Sequence, residues 1–77
     1  MYRILIIEDD DTIAKNIAAH FNRWNYETKQ IADFKNIMEE FLKFDPQLVL
    51  LDIGLPVFTG VRKYAKFQKC RFFFYHQ

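Results

Sequence analysis

Residues 48–56 read LVLLDIGLP: Leu48 to Leu51 form an unbroken apolar run that ends at Asp52, and Gly54 and Pro56 then mark a loop. A short run that is apolar on both faces is the pattern of a buried parallel strand. The same pattern opens the chain, where Tyr2 to Ile7 is apolar and β-branched and is stopped by Glu8, Asp9, Asp10 and Asp11. Between these runs the period changes. Asp11 reads as an N-cap, and Ile13, Ile17, Phe21 and Trp24 follow at helical spacing. Asn25 stands where a left-handed helix stop belongs, and Tyr26 to Ile31 reads as a more polar strand at a sheet edge. Asp33 is a second N-cap candidate, ahead of an apolar stripe of Phe34, Ile37, Met38, Phe41 and Leu42. Asp45-Pro46 ends that helix, because a residue before proline disfavours the helical conformation. The resulting β-α-β-α-β order predicts a parallel α/β sheet.

In such sheets ligands bind at the carboxyl ends of the strands. Both strongly apolar strands end in acids, Glu8 and Asp9 on the first and Asp52 on the third. If the first and third strands are neighbours, their carboxyl ends lie about 5 Å apart and the three carboxylates share one crevice. Like charges at that range repel unless a cation joins them. Mg²⁺ suits hard oxygen ligands, and a carboxylate beside it can act as a nucleophile toward phosphorus. The plainer reading, in which Glu8 to Asp11 only complement a helix dipole, leaves the second acid-terminated strand unexplained.

Composition narrows the class. Seventy-seven residues, 51% of them hydrophobic and 27% charged, fit one small globular unit. A single cysteine, Cys70, excludes an internal disulfide and a Cys-rich zinc site. No apolar run reaches the length of a membrane span, and no secretory signal is present. With a lone thiol, these features point to the cytosol and to no membrane partner. The formal net charge of +1 conceals a division: residues 1–56 carry net −4, whereas residues 57–77 carry net +5 and half of the aromatic side chains.

Residues 1–58 resemble the N-terminal part of a bacterial two-component response-regulator receiver domain. The resemblance rests on Ile4-Leu5-Ile6-Ile7-Glu8-Asp9-Asp10 and on Leu48 to Pro56, followed by Gly60. It implies a flavodoxin-like (CheY-like) parallel sheet. It also implies that Asp52 is the phosphoacceptor and that Glu8, Asp9, Asp52 and the backbone carbonyl of Gly54 hold Mg²⁺. By the same resemblance a sensor histidine kinase is the partner that supplies the phosphoryl group, and the chain is not a turnover enzyme on an external substrate. The likeness is strongest to regulators with a winged-helix DNA-binding output. DPQLVLLDIGLP is further similar to regulators of antimicrobial-peptide and cell-envelope stress. DNA would be bound only through an output domain, not through these residues.

The sequence also departs from that family. Thr59 precedes Gly60 where the family usually has Asp, and neither a fourth strand ending in Ser or Thr nor a fifth ending in Lys is legible. The fold is therefore expected to be an incomplete receiver with strands one to three only. Residues 59–77 form a basic, aromatic tail in this reading, with at most a short amphipathic helix and with Phe72 to Tyr75 lacking a partner. Written in A/T-rich codons and read from one base earlier, residues 63–77 become Lys-Ile-Arg-Lys-Val-Ser-Lys-Val-Pro-Ile-Phe-Phe-Leu-Ser-Ser. That text resembles the end of a receiver's third helix and its fourth strand, so the chain reads as a truncated receiver frameshifted after about residue 58. Leu48 to Leu51 would then be a bare apolar edge, which predicts dimerisation or aggregation, a poorly folded monomer and weak phosphorylation.

Two other functions compete. A small module could bind the kinase through the first helix and compete for it without signalling. Glu8 to Thr12 also approximates the acid-rich strand end of haloacid-dehalogenase-type phosphatases, but Glu8 stands where their nucleophilic Asp belongs. His20 falls off the apolar stripe and His76 close to the chain end, and neither has a metal-ligand partner in sequence. Phe21 and Trp24 read as core, and Cys70 has no histidine to activate it.

Overall fold

The computed structural model describes residues 1–76. Its elements are β1 (Arg3–Ile7), α1 (Asp11–Asn22), β2 (Glu27–Ile31), a 3-10 turn (Phe34–Asn36) leading into α2 (Ile37–Phe44), β3 (Leu48–Asp52), α3 (Phe58–Ala65) and β4 (Arg71–Tyr75). The strands form one sheet in the order β2-β1-β3-β4, and every pairing is parallel. The CheY-like parallel α/β fold expected from the sequence is thus present, with the polar strand β2 at one edge.

The count of three strands needs correction. β4 lies alongside β3 with Leu48 opposite Arg71 and Asp52 opposite Tyr75. The physical reason is the open backbone of β3, whose N–H and C=O groups require partners. The aromatic run Phe72 to Tyr75 has high strand propensity and supplies them. The apolar edge at Leu48 to Leu51 is therefore covered, and the exposed edge moves to β4.

Strand alternation divides the core into two layers. Leu5, Ile7, Val49 and Leu51 face Phe41 of α2, with Val57, Phe58, Val61 and Tyr64 of the α3 region and Phe72 packed against them. Ile4, Ile6 and Leu50 face the other way, onto Ala14, Ile17 and Phe21 of α1. Ile4, Leu5, Ile6, Val49 and Leu51 have no exposed surface. Each such side chain contributes about 1.5–3 kcal/mol of transfer free energy.

Local signals explain the helix ends and two further corrections. The N-cap of α1 is Asp10 rather than Asp11; its extended backbone lets the carboxylate accept the Ile13 N–H at 3.1 Å. Asp11 instead lies in the first turn, where its charge complements the helix dipole. Trp24 is 68% exposed rather than core, because α1 ends at Asn22 and helical spacing no longer governs its direction. The turn that follows is fixed by Asn25, which takes a φ of 65°. Asp33 caps the 3-10 turn through Lys35 N–H, and α2 stops at Asp45, left-handed at φ 50° before Pro46.

Candidate functional site

The same alternation that builds the α1 layer sets the site. Ile4 and Ile6 point toward α1, so Glu8, two residues on, projects to the same side; Leu48 and Leu50 do likewise for Asp52. Ile6 is opposite Leu50 and Leu50 is opposite Phe73. The register therefore carries Glu8, Asp52 and Tyr75 onto one face at the carboxyl ends of three adjacent strands.

Glu8 is fully buried and Asp52 is 5% exposed, unusual for carboxylates. The Glu8 backbone bridges to β2: its N–H donates to Ile31 O at 3.3 Å, and its carbonyl accepts Gln30 Nε2 at 3.0 Å. Its Oε2 accepts the Asp10 N–H at 3.1 Å, and its Oε1 accepts the Tyr75 hydroxyl at 2.6 Å. Asp52 Oδ1 accepts the Gly54 N–H at 2.8 Å, which folds the loop back over the strand end. A Cβ on Gly54 would stand 3.3 Å from that oxygen, so the absence of a side chain preserves the contact. His76 Nδ1 lies 4.0 Å from the same Oδ1. Asp9, next to Glu8, is exposed.

The arrangement brings Glu8 and Asp52 to adjacent strand ends as the sequence predicts, with Asp9 on the solvent side and Gly54 against Asp52. It adds two groups that sequence reading missed. Tyr75, which has no partner visible in the sequence, and His76, close to the chain end, both lie at the acids. The signal available was the strand propensity of Phe72 to Tyr75, followed at once by His76. Burial first, then the hydrogen bond to Glu8, pushes the Tyr75 phenol well above its usual range, so the hydroxyl remains a donor at neutral pH.

The donor set is chemically suited to a hard divalent cation: the buried carboxylates of Glu8 and Asp52 with Asp9 beside them, a cation offsetting their mutual repulsion. Among the described residues no three His, Cys, Asp or Glu side chains are drawn into a single metal-holding group. Glu8 points to Tyr75 and Asp10 instead.

A profile of the response regulator receiver domain matches residues 4–71. The chain belongs to the response regulator receiver domain family. The receiver is 47% identical over 60 residues to the transcriptional regulatory protein YvcP of Bacillus subtilis, covering 78% of this chain and 25% of that protein. It is 38% identical over 60 residues to the sensory transduction protein BceR of Halalkalibacterium halodurans, covering 78% of this chain and 26% of that one. Among solved structures it is similar to the N-terminal domain of the nisin resistance regulator NsrR, described as a lantibiotic response regulator. The TM-score is 0.83 at 30% identity, over 96% of this chain and 65% of that one. The receiver thus spans about a quarter of the length of these curated relatives. No helix among the described residues is long and apolar enough to cross a membrane.

Proposed function

We propose that this receiver accepts a phosphoryl group on Asp52 from the phosphohistidine of a sensor histidine kinase. The observation that supports it most is the placement of a 95% buried Asp52 beside Glu8, at the carboxyl ends of the two central strands. The nucleophile is the Asp52 side-chain carboxylate. Its Oδ1 is held by Gly54 N–H, which leaves Oδ2 as the attacking oxygen. An oxygen–phosphorus bond forms as the phosphorus–nitrogen bond breaks in line, and the departing imidazole takes its proton from solvent. Glu8, Asp9, Asp52 and the Gly54 carbonyl are the groups that would hold Mg²⁺, which when bound neutralises charge on the transferring oxygens.

This reading makes the chain a signalling phosphoacceptor in a phosphorelay rather than a turnover enzyme, and it places the chain in the cytosol. It further implies that a longer relative regulates transcription, as the name of YvcP says of that protein. NsrR also supports a role in the response to antimicrobial peptides.

The test uses phosphoramidate as a small phosphodonor. Incubation with Mg²⁺ should add the mass of one phosphoryl group in an alkali-labile linkage, and Asp52→Ala should abolish the gain. A gain that survives in Asp52→Ala, or that is indifferent to Mg²⁺, refutes the assignment.

A further inference from the structure

Tyr75 has no part in the transfer just described, yet it makes the shortest side-chain hydrogen bond at the acid site, 2.6 Å to Glu8 Oε1. The bond joins a neutral donor to a carboxylate and is of the strong, charge-assisted kind. Several constraints hold it in place. The Tyr75 ring packs against the layer of Ile4, Ile6, Ala14 and Leu50, so the hydroxyl does not swing away by rotation of an exposed side chain. Its backbone carbonyl accepts the Ile53 N–H at 2.7 Å, which ties it to the residue after Asp52. The second oxygen of Glu8 accepts Asp10 N–H, so both ends of the carboxylate are engaged.

From this geometry we infer that Tyr75 is a positioning residue that competes with the divalent cation for Glu8. In the cation-free chain the phenol holds Glu8 toward β4. Asp52, at the end of β3, stands between the strand ends that carry Glu8 and Tyr75, so a cation held with Asp52 meets Glu8 Oε1 where Tyr75 now donates, and its binding breaks that bond. The inference rests on the reading that Glu8 and Asp52 form the Mg²⁺ site. β4 is an edge of the sheet, and its alternate residues Arg71 and Phe73 are exposed, so it yields more readily than the central strands β1 and β3. Binding at Glu8 is thereby coupled to the conformation at the end of β4, and the coupling is reciprocal.

Mn²⁺ is the probe, with free ion counted by electron paramagnetic resonance. Tyr75→Phe keeps the ring and removes only the hydroxyl, and it should bind Mn²⁺ about ten- to a hundredfold more tightly than the parent, as loss of a competing bond to a charged acceptor implies. Damage to folding would weaken binding, so a gain cannot come from that source. Glu8→Gln should abolish binding in both backgrounds. In the unaltered chain, Mn²⁺ should shift the ultraviolet absorption of one tyrosine, and Tyr75→Phe should remove that shift. Binding by the parent that is lost in Glu8→Gln but unchanged or weaker in Tyr75→Phe, with no tyrosine shift in the parent, overturns the competition and leaves the metal site standing. No binding by either the parent or Tyr75→Phe overturns the metal site and the competition together.

Discussion

Replacing Phe72 and Phe73 one at a time tests the register of β4 on β3, on which the geometry of the acid site depends. Phe72 faces the α2–α3 layer, with its ring stacked 6.2 Å from Phe41 and tilted 6.4 Å from Phe74. Phe73 points to the other face and is 59% exposed. Truncating a fully buried Phe to Ala costs about 3–5 kcal/mol. Phe72 is mostly but not fully buried, and the low end of that range, discounted for its exposed part, gives about 2 kcal/mol for Phe72→Ala. A domain of this length has a stability of about 4–12 kcal/mol, so the loss is a large fraction of the whole. With a urea slope near 1 kcal/mol/M, the midpoint should fall by about 2 M. Phe73→Ala should stay within about 0.5 kcal/mol, as exposed positions do. Urea unfolding of both variants, followed by far-ultraviolet circular dichroism, supplies the comparison. A reversed order, with Phe73→Ala the costlier, would mean that β4 is slipped by one residue. Tyr75 would then point away from Glu8 and would not compete with a cation for it.

Further predictions follow from single contacts. Asp10→Ala removes the cap on Ile13 N–H and should cost about 1 kcal/mol, lowering Tm by about 4–8 °C in a thermal melt; Asp11→Ala should cost less than half of that. Tyr75 keeps its proton in the folded chain at pH values where the unfolded chain releases it. Its contribution to stability is therefore complete below about pH 10, the ordinary tyrosine value, and declines as pH rises beyond it. Urea midpoints measured across the alkaline range in metal-free buffer should fall less steeply for Tyr75→Phe. Gly54→Ala brings a Cβ to 3.3 Å from Asp52 Oδ1 and should slow phosphorylation by phosphoramidate while moving the urea midpoint little; an unchanged rate would show that the loop gives way freely. The DNA encoding residues 59–77 should continue as receiver sequence when read in the shifted frame. An early stop in that frame would end the frameshift explanation.

Most of the architecture was legible because the residues that build it carry local signals. Leu48 to Leu51 and Ile4 to Ile7 are too apolar to be anything but buried, and each is stopped by an acid. The helix between them announces itself by period, and Asp45-Pro46 and Asn25 stop the chain by backbone sterics that need no distant partner. From those signals alone came the parallel order and the polar edge strand, whereas the adjacency of Glu8 to Asp52 followed from the family resemblance. Trp24 and the cap at Asp10 were misjudged by small shifts in where α1 starts and stops, which periodicity does not resolve.

The last quarter of the chain takes its place from pairing across the sheet. Phe72, Phe73, Phe74 and Tyr75 are all aromatic, so nothing in their order marks an inner and an outer face, and no local rule says that they pair at all. The open edge of β3 supplies the reason to pair, and its register with Asp52 opposite Tyr75 fixes which rings enter the core. That register brings a phenol to Glu8 and an imidazole to within 4.0 Å of Asp52. The sequence determined which strand ends carry the acids, because the apolar runs are local. Which groups meet those acids depends on pairing between segments more than twenty residues apart in the chain, and such pairing is settled by packing and backbone hydrogen bonding across the sheet.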